Sequence, residues 1–355
     1  MSTDSSMAPK VLFHEHAERA AQRGRAPQYD GVFPRPSGFA GRYRADGLGL
    51  TIELEGVRIR SITERAPYGG LRQALLPEQW DGRQLVVFMG GAGAYAAAYP
   101  GFIAWLLTRS EGKSPIAVAW EDLPGYGYSA EGRRFGYVRH VDEIVQPQID
   151  LLGAIPRLVR SRPRVILIGF SLGGQVALHT ALRAPEEVAG VIAVAPLVRL
   201  GGVFGSWWFR RVLRLAASVP QIGDRYLYRS RLRGKGYLSL AASWYDEDYL
   251  RRKQDDAYLD DSALLGSLHV LAESGLDLLA HSPPSCPVRL LHSDADKTCS
   301  FNGSADIAAL WGTKGGDIQI ERLDRYPHQL LQLRAPDCFG VFRRIDAHLT
   351  SIMSS

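Results

Sequence analysis

The chain has 355 residues, of which 46% are hydrophobic and 22% charged, and a formal net charge of +5. This composition is typical of a globular protein with a large core and excludes a chain that is mostly disordered. Three cysteines, Cys286, Cys299 and Cys338, cannot all pair with one another and show no metal-ligand spacing. We therefore expect reduced thiols, a cytoplasmic location, and no metal or other cofactor.

The N-terminal part of the chain, residues 1–45, is polar and contains several prolines and glycines. We predict that it is an extension that wraps around the domain or is partly disordered. Charged residues such as Asp4, Lys10 and Glu15 occur where the apolar segment of a secretory signal would lie, so no such signal is expected.

The next segments predict an open α/β sheet. Leu50–Leu54 and Val57–Ile62 alternate apolar and polar residues, as antiparallel strands with one exposed face do. Continuous apolar runs, typical of buried parallel strands, follow at Leu85–Phe88, Ile116–Ala119, Val165–Ile168, Val191–Val194 and Val288–Leu291. Intervening segments such as Val141–Val159 and Leu172–Ala184 are long enough for helical crossovers, so the sheet is expected to be mostly parallel.

One uncharged stretch, Leu85–Leu107, is long enough to cross a bilayer. Five glycines and prolines interrupt it, at positions 90, 91, 93, 100 and 101. A strand, a glycine-rich loop and the start of a helix explain this stretch better than a membrane span does.

The interval between the strands ending near Ala195 and starting near Pro287 is about 90 residues long and lacks an obvious buried strand. A loop of that length should have structure of its own, and helix formers are frequent in it. We therefore predict a helical cap at 197–283, inserted into a core domain formed by 46–196 and 284–355.

A candidate nucleophile lies in the sequence GFSLG at residues 169–173. This G-x-S-x-G pattern follows the predicted strand Val165–Ile168 and opens the predicted helix Leu172–Ala184. In such a strand-to-helix turn the serine adopts strained backbone angles, and small neighbours prevent clashes. The pattern predicts that Ser171 is the nucleophile; the alternative is an ordinary glycine-rich turn.

A serine nucleophile needs a base, and the base needs an orienting acid, in the order Ser, acid, His on this type of sheet. His328 follows the predicted strand Ile318–Leu323 in a loop, where a catalytic histidine could reach the turn. The other histidines after Ser171 lie in predicted helices, in the cap or at a strand end: His179, His269, His281, His292 and His348. A surface histidine is the alternative for His328.

For the acid, Asp294 and Asp296 both follow the strand Val288–Leu291 and both fit by position. We favour Asp296 and expect Asp294 to cap the turn. The oxyanion of the reaction needs backbone N–H donors. We predict these to be Leu172 and, in the glycine-rich loop after Leu85–Phe88, Gly91; a simple tight turn is the alternative for that loop.

These motifs, with the segment EDLPGYGYS at residues 121–129, resemble the monoacylglycerol lipase and lysophospholipase branch of the α/β-hydrolases. The resemblance covers about 80–196 and 285–349 and implies an α/β-hydrolase fold that cleaves single-chain acyl esters through an acyl-enzyme. Its H-G-x-x-D pattern, which matches His292 to Asp296, favours Asp296 as the acid. The chain departs from the branch at Met89, where a histidine is usual, and at Ser293, where a glycine is usual.

The first part of the predicted cap combines aromatic and basic residues. Nine basic residues and one acid occur between Arg199 and Lys235, with Trp207 and Trp208 among them. We predict that Met89, Trp207 and Trp208 contact the substrate. Contact of this segment with an anionic lipid surface is a further hypothesis, and ordinary packing of the cap is the alternative. No nucleic-acid recognition motif is present, so no nucleic acid is expected.

The leading functional hypothesis is therefore a serine esterase or lipase acting on monoacylglycerol, lysophospholipid or similar substrates. An acyltransferase or thioesterase could use the same residues, because the difference lies in which acceptor reaches the acyl-enzyme. A non-catalytic binding protein on this fold is the third hypothesis.

Overall fold

The structure of the protein is a computed structural model that describes residues 29–32, 40–46, 49–109, 115–130, 135–228, 243–256, 258–259 and 263–354. Parts of two predictions lie outside these ranges. They are the first 28 residues of the predicted extension and four residues of the basic segment, Arg229, Arg231, Arg233 and Lys235.

The strands, in chain order, are β1 (Tyr29–Val32), β2 (Gly41–Asp46), β3 (Gly49–Leu54), β4 (Ile59–Arg65), β5 (Leu71–Pro77), β6 (Gln84–Met89), β7 (Ala117–Glu121), β8 (Arg164–Phe170), β9 (Gly190–Val194), β10 (Tyr226–Tyr228), β11 (Ala263–Leu264), β12 (Val288–Ser293) and β13 (Ile318–Leu323). Eight of them form the central sheet in the order β13-β12-β9-β8-β6-β7-β5-β4. The pairs from β13 to β7 are parallel, and β5 pairs antiparallel with both β7 and β4. This confirms the predicted mostly parallel sheet.

The α-helices are α1 (Pro100–Thr108), α2 (Asp142–Val159), α3 (Leu172–Arg183), α4 (Trp207–Ser218), α5 (Pro220–Gly223), α6 (Glu247–Asp255), α7 (Leu265–Asp277), α8 (Phe301–Thr313) and α9 (Asp337–Ser354). The buried side chains form one core on each face of the sheet. Because side chains alternate along a strand, Val86 and Phe88 of β6 pack in the core with α1 and α9. Leu85, Val87 and Met89 pack in the other core, with α2, α3 and α8.

The two alternating segments near the start of the sheet are both strands, but they do not form one hairpin. β3 pairs with β2 in a separate three-stranded sheet, and β4 pairs with β5 in the central sheet. Each is antiparallel to its partner, as predicted, and only β4 belongs to the central sheet. Gln73 of β5 joins the two sheets, since its side chain bonds both the amide and the carbonyl of Leu50, at 2.8 and 2.7 Å.

The segment 197–283 contains α4 to α7 and the short pair β10 and β11. Its last helix, α7, packs directly on the core, because Gln175 and His179 of α3 bond the carbonyl oxygens of Leu271 and Ser274. The predicted membrane-length stretch consists of β6, a loop and α1. Among the described residues, no helix has both the length and the apolar character needed to cross a membrane.

Candidate active site

Ser171 lies in the turn between β8 and α3, with a φ of 55° and a ψ of −116°. A positive φ costs a residue other than glycine about 1–3 kcal/mol, so the surrounding structure must hold it. The neighbouring glycines permit close packing here. A Cβ on Gly169 would lie 2.2 Å from the Gly173 carbonyl oxygen, and one on Gly173 would lie 2.1 Å from that of Met89. The local structure is thus the strained turn that the G-x-S-x-G pattern predicts.

The structure brings the three predicted catalytic residues together. Ser171 Oγ lies 2.9 Å from His328 Nε2, and His328 Nδ1 lies 2.6 Å from Asp296 Oδ2. With Nδ1–H donating to the carboxylate, Nε2 can accept the serine proton. All three residues are at most 8% exposed.

The two candidate acids have different surroundings. Asp296 Oδ1 accepts hydrogen bonds from the amides of Thr298 and Cys299, at 2.7 and 3.0 Å, which leaves Oδ2 for His328. Asp294 pairs instead with the Arg322 guanidinium and accepts from the Arg325 amide at 3.3 Å. Of the two carboxylates that fit by position, the geometry therefore favours Asp296 as the partner of the histidine.

The site also favours the charged form of Asp296. Burial by itself would raise the pKa of this carboxyl, but the attraction of His328 and the hydrogen bonds from His292 and His328 outweigh it. Together they lower the pKa of Asp296 well below its usual value of 3.8. The carboxylate is thus available to stabilise a protonated His328.

His292 was not expected to be the base, because it lies at a strand end. In the structure it is a second histidine whose side chain contacts the Asp296 carboxylate. Its Nε2 lies 3.2 Å from both Asp296 Oδ2 and the Cys299 carbonyl oxygen, two acceptors, so Nε2 carries the proton. Its Nδ1 then accepts from the Ser304 hydroxyl at 2.7 Å. The four-residue spacing from Asp296 is the signal in the sequence that could have identified it.

The predicted oxyanion donors lie on either side of the nucleophile. Leu172 is the first residue of α3, where N–H groups have no acceptor within the helix. In the sheet, Met89 is paired with Gly169, which places the loop that follows β6 beside the turn. A Cβ on Gly91 would lie 3.3 Å from Ser171 Cβ, and the Gly91 amide donates to the Tyr99 hydroxyl at 3.3 Å.

The loop between β6 and α1, residues 90–99, is fixed by contacts from two sides. Asp122 accepts from the amides of Ala96 and Tyr128, at 2.9 and 3.1 Å. From the predicted cap segment, Arg252 donates to the Ala98 carbonyl oxygen at 2.9 Å, and Asp256 accepts from the Tyr95 hydroxyl at 2.7 Å. The loop therefore has little freedom to move relative to the nucleophile.

Comparison with known families agrees with this geometry. A family model described as Serine aminopeptidase, S33, matches residues 81–332, about seven tenths of the chain. The chain belongs to this family. The match also agrees with the predicted membership of the α/β-hydrolase superfamily.

Relatives of this S33-family protein include esterases, matched over short segments. The pimeloyl-(acyl-carrier protein) methyl ester esterase of Vibrio parahaemolyticus is 35% identical over 91 residues, or 26% of this chain and 31% of that protein. Its counterpart from Vibrio cholerae is 38% identical over 103 residues, or 29% of this chain and 35% of that protein. The chain thus spans about a third of the length of these relatives.

Solved structures with the same fold match more of the chain. The monoacylglycerol lipase of Paleococcus ferrophilus superposes with a TM-score of 0.61 and 18% identity, covering 83% of this chain and 99% of that one. A soluble variant of the Saccharomyces cerevisiae monoglyceride lipase, in complex with a substrate analog, superposes with a TM-score of 0.63 and 17% identity. The match covers 83% of this chain and 95% of that one. At these identities the likeness shows a shared fold.

The predicted substrate-binding residues of this S33-family protein lie in different surroundings. Met89 is 1% exposed and packs in the core with Leu85 and Val87, because all three face the same side of β6. This position argues against direct contact with a substrate. Trp207 and Trp208 are 67% and 48% exposed on α4, which favours contact with something outside the protein over lining a pocket.

No group of three or more His, Cys, Asp or Glu side chains placed to hold a metal ion occurs in the parts of the chain that the structure describes.

Proposed function

We propose that this S33-family protein hydrolyses carboxylic esters of single acyl chains through an acyl-enzyme on Ser171. The observation that carries the proposal is the hydrogen-bonded series from Ser171 to His328 to Asp296, beside the start of α3 and the loop after β6. A strained serine, a base, a charged acid and backbone donors are the components that acyl transfer to serine requires.

In the first half of the proposed reaction, Ser171 Oγ attacks the ester carbonyl as its proton passes to His328 Nε2. Asp296 stabilises the resulting imidazolium through Nδ1–H. The amides of Leu172 and Gly91 donate to the carbonyl oxygen, which becomes negative as the tetrahedral intermediate forms. His328 then gives its proton to the leaving alcohol as the C–O bond breaks, and the acyl group stays on Ser171.

In the second half, water attacks the acyl-enzyme while His328 Nε2 takes its proton. The same amides hold the second oxyanion, and collapse of this intermediate releases the carboxylic acid and restores the Ser171 hydroxyl. An alcohol or amine in place of water would give acyl transfer. The names of the related proteins, a methyl ester esterase and monoacylglycerol lipases, support an ester with one acyl chain as the substrate.

Removal of the nucleophile tests the proposal. Ser171→Ala should lower kcat on p-nitrophenyl esters by about 10⁴-fold or more and abolish labelling by a fluorophosphonate probe. Ser267→Ala is a matched control, because it removes another buried hydroxyl, one that accepts from the Val138 amide. The proposal fails if Ser171→Ala reacts with the probe as strongly as the parent protein does.

A substrate series tests the class of leaving group. Esters from acetate to palmitate should be turned over, with a preference that identifies the acyl length, and amino-acid p-nitroanilides should be much poorer substrates. Faster turnover of p-nitroanilides than of every ester would contradict the ester assignment. Adding an alcohol acceptor and measuring the ratio of new ester to free acid separates hydrolysis from acyl transfer.

We also propose that α4 and its neighbours contact an anionic lipid surface. Seven of the nine large hydrophobic side chains that the described residues expose lie between Val203 and Ile222. Arg211 and Arg214 are exposed on the same helix, and the Arg211 guanidinium lies 5.2 Å from the Trp207 ring centre. Aromatic rings beside arginines suit the headgroup region of an anionic bilayer.

Sedimentation with vesicles measures this contact. The protein should bind phosphatidylglycerol vesicles, should bind phosphatidylcholine vesicles less well, and should lose affinity as salt is added. Equal affinity for the two lipids, or none for either, would contradict the proposal. A cytoplasmic location stays a prediction; Cys286, Cys299 and Cys338, buried and not in disulfides, agree with it.

A further inference from the structure

Tyr99 places its hydroxyl against the backbone of the predicted oxyanion loop. The Gly91 amide donates to this hydroxyl at 3.3 Å. Gly91 itself lies against the nucleophile, since a Cβ on it would be 3.1 Å from the Phe170 ring and 3.3 Å from Ser171 Cβ. The phenol group is therefore a neighbour of the space in which the substrate carbonyl must lie.

The ring of Tyr99 is held tightly in place. It is 2% exposed and makes edge contacts with Phe88 and Phe170, with ring centres 5.2 and 6.0 Å apart. Phe170 precedes the nucleophile and in turn contacts the His328 ring at 5.1 Å. A hydroxyl fixed in this way can act on a transition state without first being ordered.

The hydrogen bonds of this hydroxyl are incomplete. Its oxygen accepts from Gly91, but among the described residues no acceptor lies within hydrogen-bond distance of its own proton. A buried donor without an acceptor is destabilising, so this proton favours any acceptor that enters the site. Burial also raises the pKa of Tyr99 well above its usual value of 10, so the hydroxyl keeps its proton and remains a donor.

The bond from Gly91 is long compared with the usual N–H···O distance of about 2.9–3.0 Å. A weak bond can be shared, so this amide can donate to a second and stronger acceptor without movement of the loop. The oxygen that becomes negative when Ser171 attacks is such an acceptor, and it could take bonds from the amide and the phenol together.

We propose that Tyr99 is a catalytic residue that donates its O–H to the oxyanion, as a third donor beside Gly91 and Leu172. The proton stays on the phenol throughout, so the bonds made and broken on the substrate are those given above. This inference rests on the proposed function, because it requires an oxyanion formed by attack of Ser171.

The test is Tyr99→Phe, which keeps the ring and removes only the hydroxyl. We expect kcat on a p-nitrophenyl ester to fall by about a hundredfold, as for loss of one oxyanion donor, with KM changed by less than about threefold. Affinity for an alkyl trifluoromethyl ketone, whose adduct with Ser171 carries an oxyanion, should fall by a similar factor.

Tyr43→Phe is the matched control, since it removes the hydroxyl of a buried tyrosine on β2, outside the oxyanion loop, that donates to Asp248 of α6. It should lower the melting temperature and leave kcat within about threefold of the parent. An unchanged or raised kcat in Tyr99→Phe, or an equal loss of kcat in both variants, would overturn the assignment. Labelling of Ser171→Ala by the fluorophosphonate would instead overturn the proposed function.

Discussion

Ser293 shows how one side chain can join two loops of the candidate active site. Its hydroxyl is fully buried and donates to the Tyr326 carbonyl oxygen at 2.6 Å, two residues before His328. The same oxygen accepts from the Ala295 amide at 3.3 Å, next to Asp296. The serine thus links the loop that carries the acid to the loop that carries the histidine.

Removing this link should affect both stability and rate. We expect Ser293→Ala to lower the free energy of unfolding by about 1–2 kcal/mol, because the Tyr326 carbonyl loses its buried partner. It should also lower kcat several-fold with little change in KM, since His328 is placed less well. Ser161→Ala is the control, because it removes a hydroxyl that donates to the Gly82 carbonyl at 2.9 Å, at the start of β6 rather than in a loop of the candidate active site. An equal kcat in the two variants would show that Ser293 supports the fold alone.

For single residues, the sequence predicts which side chains form the candidate site better than it predicts what those side chains contact. Ser171 could be located because a strand and a helix flank it, and His328 because it follows a strand in a loop. Ser293 and Met89 stand out as departures from a pattern, but what they touch depends on the distance between loops that are far apart in sequence. His292 was missed for a different reason, because its position at a strand end gave less weight to its four-residue spacing from Asp296, the residue that it bonds together with Ser304.

Helix α4 is unusual among the elements because much of its outward face is apolar. Val212 and Leu215 are 55% and 70% exposed, whereas Leu213 on the inward face is 1% exposed. Most hydrophobic residues of α4 form one broad face, opposite its arginines. Packing on the rest of the protein buries Leu213 on one edge of this face and leaves Val212 and Leu215 exposed, so only the structure distinguishes the outer residues from the inner one.

A polar substitution on the outer face tests its role. Leu215→Gln should weaken binding to phosphatidylglycerol vesicles by about tenfold, since an exposed leucine contributes about 1.5–3 kcal/mol when it is buried. Turnover of a short soluble ester should be unchanged. Leu310→Gln replaces a leucine that is 40% exposed on α8 and should not alter vesicle binding. Equal vesicle binding by both variants would contradict a role for this face.

Strand β5 is the strand of the central sheet that the sequence did not predict. An apolar run predicted the neighbouring strand β7, but β5 contains Arg72 and Gln73, whose polarity conceals a fully buried strand. Both side chains bond distant partners. Arg72 pairs with Glu121 of β7 at 2.6 Å, and Gln73 bonds Leu50 of β3. A local pattern cannot supply partners that come from other strands.

The stability of the whole molecule should depend on pH through His179. This histidine is 1% exposed at the contact between α3 and α7, and burial lowers its pKa from 6.5 to about 4. Because the folded pKa lies below the unfolded one, the stabilisation is present above about pH 6.5 and is lost as the pH falls toward 4. The shift corresponds to about 3 kcal/mol over that interval.

Urea unfolding from pH 7 to 4 should show this loss in the parent and a shallower slope in His179→Gln, which cannot gain a proton but can donate to the Ser274 carbonyl. His281→Gln changes an exposed histidine nearby and should run parallel to the parent. If the His179→Gln curve also runs parallel to the parent, His179 does not account for acid sensitivity.

The Ala98 carbonyl group constrains the design of chimeras between this protein and its relatives. It accepts from Arg252 of α6 and from Gln332, four residues after His328, both at 2.9 Å. One peptide group is thus shared by three parts of the chain that a domain diagram would separate. A chimera that imports a foreign α6 would disturb the loop beside the nucleophile, whereas α4 can be exchanged without touching that carbonyl. In chimeras that exchange segments to change the substrate preference, the breakpoints should therefore keep residues 247–256 of this protein.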